Sequence, residues 1–358
     1  MTLWWLLSVA LAWPELGPEG VPTGAVVDAH ARFAPATLPN KPIVVDPAVS
    51  RVADSALQWL RSAPDEVAST AGALTDLGYD IGDTCAVLQL LISAGNAAQV
   101  TGHNPLTDRA FVNANLQLLS WRPDRVAGAA HNVAVTDKIR LTRYLVYEVE
   151  GRATQDETFN TALYGAPPEE TGDRLRFTRQ DVLRGVYGPG GAADGHAPPL
   201  VWVTRESLFR ALMQGSAQVN LPDGSSMLFN VDVNNNIPYD RDEHDSSKQA
   251  RYWYFREVPG LRGYTTPGRP PIDIAPRVTV AGDVYNLGLG RVVLLDVGPE
   301  LWLTVLADTG GAFQPNLYQL DWLSGVYPSY EAYQRATAAI PERVSAGLLL
   351  PRQAAGAP

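Results

Sequence analysis

Leu301–Trp302–Leu303–Thr304–Val305–Leu306–Ala307, then Asp308–Thr309–Gly310–Gly311–Ala312, then Leu320–Asp321–Trp322 is the stretch from which the rest of the chain can be read. The residues up to Ala307 form an apolar run with branched side chains, long enough for one buried strand. The run stops at an acid, followed one residue on by two glycines. Gly310 and Gly311 can take positive φ without a Cβ clash, so the chain can turn tightly there and let a ligand approach the backbone. Asp321 stands between Leu320 and Trp322, an apolar setting expected to raise its pKa. Two carboxylates near the end of a buried strand, in unequal surroundings, are what acid/base cleavage of a glycosidic bond requires. Asp shortly before Gly-Gly is equally an ordinary turn sequence. The rest of the chain has to decide between the two.

The 358 residues suffice for about two domains. With 46% hydrophobic residues, 31 Gly and 28 Pro, the chain is expected to be globular, cored and rich in turns. A net charge of -10 argues against a nucleic-acid partner, which needs a concentrated basic face. The single cysteine, Cys85, lies in the apolar run Cys85–Ala86–Val87–Leu88 and excludes an intrachain disulfide; it is expected to be a small buried hydrophobe. The five histidines (His30, His103, His131, His196, His244) are scattered, without the paired spacing of a zinc site.

Residues 1–12 are expected to be a signal peptide. Met1–Thr2–Leu3–Trp4–Trp5–Leu6–Leu7–Ser8–Val9–Ala10–Leu11–Ala12 is apolar and ends in an Ala-x-Ala pattern, although no Lys or Arg precedes the run. A misplaced start codon and a buried N-terminal segment remain alternatives. Export is the preferred reading, and no cysteine stands at the cleavage point to carry a lipid anchor. No later segment is apolar enough for long enough to span a bilayer.

Residues 13–47 are Pro- and Gly-rich and read as a linker or irregular arm. From 48 to 138 the pattern is mostly helical, with Val52, Leu57 and Leu60, then Val87, Leu88, Leu91 and Ile92, near helical spacing. Asp108 is expected to cap a helix running through Phe111, Val112, Leu116 and Leu119. From 139 to 250 the chain turns strand-like. Leu141, Tyr144, Val146, Tyr147 and Val149 form one strand, Leu200–Val203 another, and Gly185–Pro199 an exposed loop between elements. Gln218–Leu221 and Ser226–Phe229 flank Pro222–Asp223–Gly224–Ser225, a hairpin turn. Ser216 lacks the Gly-x-Ser-x-Gly setting of a nucleophile and reads as a polar strand residue. Asp232-x-Asn234-x-Asn236…Asp240…Glu243 matches the ligand positions of a calcium loop, but Ile237 stands where the turn demands Gly, so a solvated acidic loop is expected. Residues 251–358 return to short strands, with a surface helix over Tyr330–Ile340 and a final strand at Leu348–Leu350.

Taken in order, these residues resemble the MltA-type membrane-bound lytic murein transglycosylases. Tyr147–Glu148 and Leu163–Tyr164–Gly165–Ala166–Pro167 resemble that family's Tyr-Tyr-Glu-Pro and Pro-Leu-Tyr segments. Gln214–Gly215–Ser216–Ala217 followed by Leu221–Pro222–Asp223–Gly224 resembles its Gln-Gly-Ser-Gly…Leu-Pro-Asp-Gly hairpin. Asn235 with Pro238–Tyr239 and Tyr254–Phe255–Arg256–Glu257 resemble two further segments, and Asp308–Thr309–Gly310–Gly311–Ala312 with Asp321 resembles Asp-Thr-Gly-Gly-Ala-Ile…Phe-Asp. The similarity runs roughly from Tyr144 to Pro351. Here Phe313–Gln314–Pro315 replaces the usual Ile-x-Gly and Ala217 replaces a glycine.

The resemblance implies a mainly β chain with an N-terminal helical portion. A double-psi β-barrel would start in 48–138 and resume in 251–358, with a second β-barrel inserted over 139–250 and a groove between them. It implies cleavage of the MurNAc–GlcNAc β-1,4 bond of peptidoglycan with formation of 1,6-anhydro ends. Asp321 would be the single general acid/base and Asp308 an accessory group. Gln214, Ser216, Asn235, Tyr147, Tyr164, Gly310 and Gly311 would be candidate substrate contacts. Peptidoglycan glycan strands are the implied partner, with the cell-wall synthesis or division machinery a further one. No metal or cofactor is implied, and a monomer in the periplasm, with outer-membrane association as an option, is the expectation. A hydrolytic glycosidase using both acids and a non-catalytic glycan-binding module are the alternatives.

Overall fold

The apolar run Leu301–Ala307 lies within a strand, Glu300–Asp308, and is buried at every position but Trp302. The structure, a computed structural model, describes residues 31–352 apart from His131, Arg241, His244, Pro267, Gly268, Gly311, Ala312, Gln314 and Pro315. The expected signal peptide, the first part of the expected arm, and Gly311 fall outside the described residues.

Two strands open the described chain, β1 (Arg32–Ala36) and β2 (Ile43–Val44), and helices α1 (Val49–Ser62) and α2 (Ile81–Thr101) follow. The helices pack on each other through the apolar stripes legible in the sequence, Val52, Leu57 and Leu60 against Val87, Leu88 and Leu91. Asp80 starts α2 with a reciprocal capping box to Asp83, which satisfies end donors that would otherwise be unpaired. Cys85, expected to be buried, is only partly so and packs at the edge of the core. Helix α3 (Arg109–Asn115) is capped by Asp108 as expected, but it stops four residues short of Leu119. Leu116 begins β3 (Leu116–Arg122) instead. Pairing with the C-terminal strand buries Leu116, Leu119 and Trp121, so tertiary burial overrides the local helical spacing.

β4 (Ile139–Glu150) is the long strand of the fold, followed by β5 (Thr161–Tyr164), β6 (Pro199–Val203), β7 (Ser216–Asn220), β8 (Ser226–Asn234) and β9 (Trp253–Glu257). The chain then supplies β10 (Thr279–Ala281), β11 (Val292–Val297), β12 (Glu300–Asp308), β13 (Gln319–Tyr327) and β14 (Arg343–Pro351). Strands pair in the order β14-β11-β12-β10-β13-β4, and β4 pairs with β14 again through Arg343↔Arg140 and Val344↔Ile139. That contact closes a six-stranded barrel. Its interior holds Leu141, Val280, Val293, Leu306, Leu320 and Leu348, which the strand registers place on one face, with α1 and α2 extending the core from one side.

β4 does not end with the barrel. Its first half pairs with β13 and β14, and from Tyr147 to Glu150 it pairs in parallel with β7. β7, β8 and β9 continue the sheet, β5 and β6 pack against β9, and an Arg152↔Trp202 bridge brings β6 back to the end of β4. These strands curl round a second core containing Leu145, Val149, Leu163, Tyr187, Phe229, Tyr252, Tyr254 and Phe255. Tyr254 and Phe255 lie past residue 250, yet β9 belongs to this second unit because β8 supplies its hydrogen bonds. The Gly185–Pro199 segment is turn-rich as expected, but Tyr187, Ala193 and Ala197 are buried in the second core rather than exposed. The last helix covers Tyr330–Thr337, capped by Ser329.

Candidate active site

The short strand β10 brings the two acids together. It runs parallel to β12 and antiparallel to β13, and Ala281 is the register partner of both Asp308 and Asp321. The pairing with β12 shifts register between Val280 and Ala281, so one extra residue of β12 is accommodated there and Asp308 is re-aimed to lie opposite Ala281, on the face of Asp321; the two acids' Cα atoms stand two strand spacings or about 10 Å apart. The residue of β10 between them is the small Ala281. Thr142 is the partner of Asp321 on β4, and Tyr144, two residues on, shares its face.

Asp321 is partly buried, with its Oδ1 sealed from solvent and without a hydrogen-bond partner. Loss of hydration raises its pKa to about 6; hydrogen bonding with Thr142 and the charges of Arg140 and Arg143 pull in the opposite direction. Leu320 and Trp322 are buried in the barrel interior, but successive side chains in a strand point to opposite faces. They therefore anchor the strand. The surrounding strands β4 and β10 desolvate the acid.

Asp308 closes β12. The Tyr144 hydroxyl donates to its Oδ2 at 2.9 Å and the Thr309 N–H to its Oδ1 at 2.9 Å. The backbone there is clamped: Gly282 N–H donates to the Asp308 carbonyl at 3.1 Å, and Thr309 Oγ1 donates to the Gly282 carbonyl at 2.8 Å. Gly263 lies behind it, so close that a Cβ would stand 2.7 Å from the Ala307 carbonyl oxygen and 3.4 Å from Asp308 Cβ. Burial and then the charges of Asp308 and Asp321 hold the Tyr144 phenol well above its ordinary pKa, so it stays protonated. Beyond Asp308, Asn316 N–H donates to Asp283 Oδ2 at 2.8 Å. Asp283 also caps the helix Val284–Leu287, and burial pushes its carboxyl up.

Gly310 does not use the left-handed freedom open to it, and a Cβ added to it would meet nothing within 4 Å. What the glycine leaves at the end of β12 is open space rather than a left-handed turn.

The remaining candidates divide. Gln214 ends the helix Arg205–Gln214 and its Oε1 accepts from the Leu145 N–H at 3.3 Å, beside Tyr144. Ser216 is buried, and Asn230 Nδ2 donates both to its Oγ at 3.1 Å and to the Arg262 carbonyl at 3.0 Å. That contact ties the second unit to the segment behind Asp308. Tyr147 is buried on β4 under the guanidinium of Arg210, 5.1 Å from the ring centroid. Asn235 and Tyr164 are built into the second unit. Asn235 is 1% exposed, donates to the Phe177 and Ala250 carbonyls, and accepts from the Tyr252 and Ile237 N–H groups. Its amide is thus spent on the protein and has no capacity left for a sugar, which corrects the expected contact. Tyr164 is buried with its ring 5.4 Å from Tyr187. Asp232 and Asn234 of the expected acidic loop sit on β8. Tyr144, Thr142, Ala281 and Gly263 carry no sequence signal of a site, because only the strand register and the packing behind β12 bring them to the acids. A cavity of about 290 Å³ lined by Arg32, Arg122, Arg125, Val126 and Asp137 includes none of the candidate residues.

No protein-family model matches the sequence, and no curated protein matches it. Solved structures do. A membrane-bound lytic murein transglycosylase from Agrobacterium tumefaciens superposes with a TM-score of 0.57 at 16% identity, over 89% of this chain and 98% of that one. MltA of E. coli with bound chitohexaose gives 0.56 at 16% identity, over 90% and 95%. MltA of Neisseria gonorrhoeae gives 0.53 at 15% identity, over 94% and 97%. Likeness over nearly the whole length of both chains, at identities this low, shows that the chain has the MltA fold.

Proposed function

We propose that the protein is a peptidoglycan lytic transglycosylase that cleaves the MurNAc–GlcNAc β-1,4 bond and leaves 1,6-anhydromuramic ends. The observation that carries this reading is Asp321: a desolvated carboxyl with a pKa of about 6, on the same sheet face as a second carboxylate. The MltA fold, and the chitohexaose held by the E. coli protein of that fold, support a β-1,4-linked glycan as the ligand class.

The chemistry needs one proton carrier. Protonated Asp321 donates to the bridging oxygen as the C1–O bond breaks, and the GlcNAc leaves with that proton as its hydroxyl. The positive charge that grows at the MurNAc ring is stabilised by Asp308 across Ala281. Ionised Asp321 then takes the proton from the MurNAc 6-hydroxyl as that oxygen attacks C1 and closes the anhydro ring. The acid is regenerated and no water is consumed. Gly310 leaves room for a sugar at the end of β12. Gln214 and Tyr147 are the remaining candidate contacts from the second unit, the export signal would carry the enzyme to the periplasm, and the barrel with its helices and the second unit, extended beyond 139–250 to include β9, would form the two walls of the glycan groove.

Digestion of purified sacculi, with soluble products analysed by mass spectrometry, tests the proposal. Wild type is expected to release muropeptides lighter by one water than their reducing counterparts, at a rate that falls as pH rises through about 6 and Asp321 loses its proton. Asp321→Asn is expected to lose activity by about 100-fold or more. Reducing ends from wild type would indicate a hydrolase, and tight binding without release would indicate a binding module.

A further inference from the structure

Beside the two carboxylates stands a phenol that neither proton transfer uses. Tyr144 belongs to β4, the strand shared by the barrel and the second unit, and it follows the Asp321 partner Thr142 by two residues. Its hydroxyl donates to Asp308 Oδ2 at 2.9 Å. The two oxygens of Asp308 therefore each receive a donor, the phenol on one and the Thr309 N–H on the other. Asp321 is treated differently, since its Oδ1 is sealed without any donor. Donors favour a carboxylate, whereas a sealed, undonated oxygen favours the acid.

We infer that Tyr144 is the positioning residue of the pair: by donating to Asp308 it keeps that group an acceptor and reserves the transferable proton for Asp321. The assignment rests on the acid/base reading proposed above. The phenol remains a donor throughout the working range, because burial and both carboxylates oppose its ionisation. A tyrosine that only filled space would not need its hydroxyl directed at a charged group. The other titratable and charged groups acting on Asp321 are Arg140 and Arg143 on β4 and Tyr333 on the helix Tyr330–Thr337, while β10 between the acids has none.

The test is the rate of anhydro-muropeptide release from sacculi, measured from about pH 4 to pH 9 for wild type, Tyr144→Phe, Asp308→Ala and the double variant. Tyr144→Phe is expected to lower the maximal rate roughly tenfold or more. It is also expected to move the acid limb to higher pH, because Asp308 loses a donor that favours its charged form. Added to Asp308→Ala, the same change is expected to cost nothing further. A lowered rate with unmoved limbs, or fully additive losses, would overturn the role. If the Phe variant does not fold, Asp308→Asn takes its place: with the tyrosine intact and no carboxylate to protonate, the acid limb must disappear, and an unchanged limb overturns the assignment. Wild type that releases no anhydro ends sinks the transglycosylase reading and the role of Tyr144 with it. Active wild type indistinguishable from Tyr144→Phe sinks the role alone.

Discussion

Asp321 carries a cost to stability that follows from its position. Its pKa rises from 3.8 to about 6 on folding because burial disfavours the charge. A carboxyl with a raised native pKa binds its proton more tightly in the folded state, so the cost is absent below about pH 4, grows up to about pH 6 and is complete above. At about two units it amounts to roughly 2–3 kcal/mol at most, less whatever solvent screens at a partly accessible group. Asp321→Asn removes the charge and keeps the shape. It is therefore expected to melt at a higher temperature than wild type near neutral pH and at about the same temperature near pH 4, as calorimetry at the two pH values would reveal. Equal melting temperatures at neutral pH would mean that the carboxylate is well solvated. Both acids were legible in the sequence, because an apolar run ending in Asp and a lone Asp between apolar residues are local patterns. The cause of the desolvation was not, since Leu320 and Trp322 turn to the other face. Asn235 misled because a motif residue can be matched for a backbone strut as well as for a ligand.

At the level of elements, the site depends on β10, only three residues long, and on the segment behind β12. Gly263 N–H donates to the Ile272 carbonyl and Tyr264 N–H to the Ala307 carbonyl at 3.1 Å, so this segment packs directly on the end of β12. Gly263→Val would drive a side chain into the Ala307 carbonyl, where backbone cannot yield cheaply. The variant is expected to lose about 1–3 kcal/mol of stability. Its activity should fall by more than a mere fraction-unfolded correction, because Asp308 is displaced; thermal melts beside sacculus digestion separate the two effects. Strands with continuous apolar runs, such as β11, β12 and β14, could be read from the sequence. β3 could not, because Leu116 and Leu119 also continue the helical spacing from Phe111 and Val112, and only β14 selects the strand. The register that puts Ala281 between two acids is likewise non-local. No pattern within β10 announces it, so the sequence alone marks Tyr144 as a strand residue and not as part of the site.

Across the whole molecule, a strand common to two cores fixes the second unit against the barrel. β4 contributes Leu141 to one core and Leu145 and Val149 to the other. Asn230 adds a cross-brace, holding Ser216 of the second unit and the backbone of Arg262 beside the acids. In the proposed reaction the glycan's own 6-hydroxyl would have to reach the anomeric carbon before water does, and that competition separates a transglycosylase from a hydrolase with the same two carboxylates. The most direct measurement is digestion of sacculi by wild type in water enriched in heavy oxygen, followed by mass spectrometry of the released sugars. The account predicts anhydro ends without incorporated label, because the attacking oxygen comes from the substrate. Label at the anomeric position of reducing ends would show that water is the nucleophile and would contradict it.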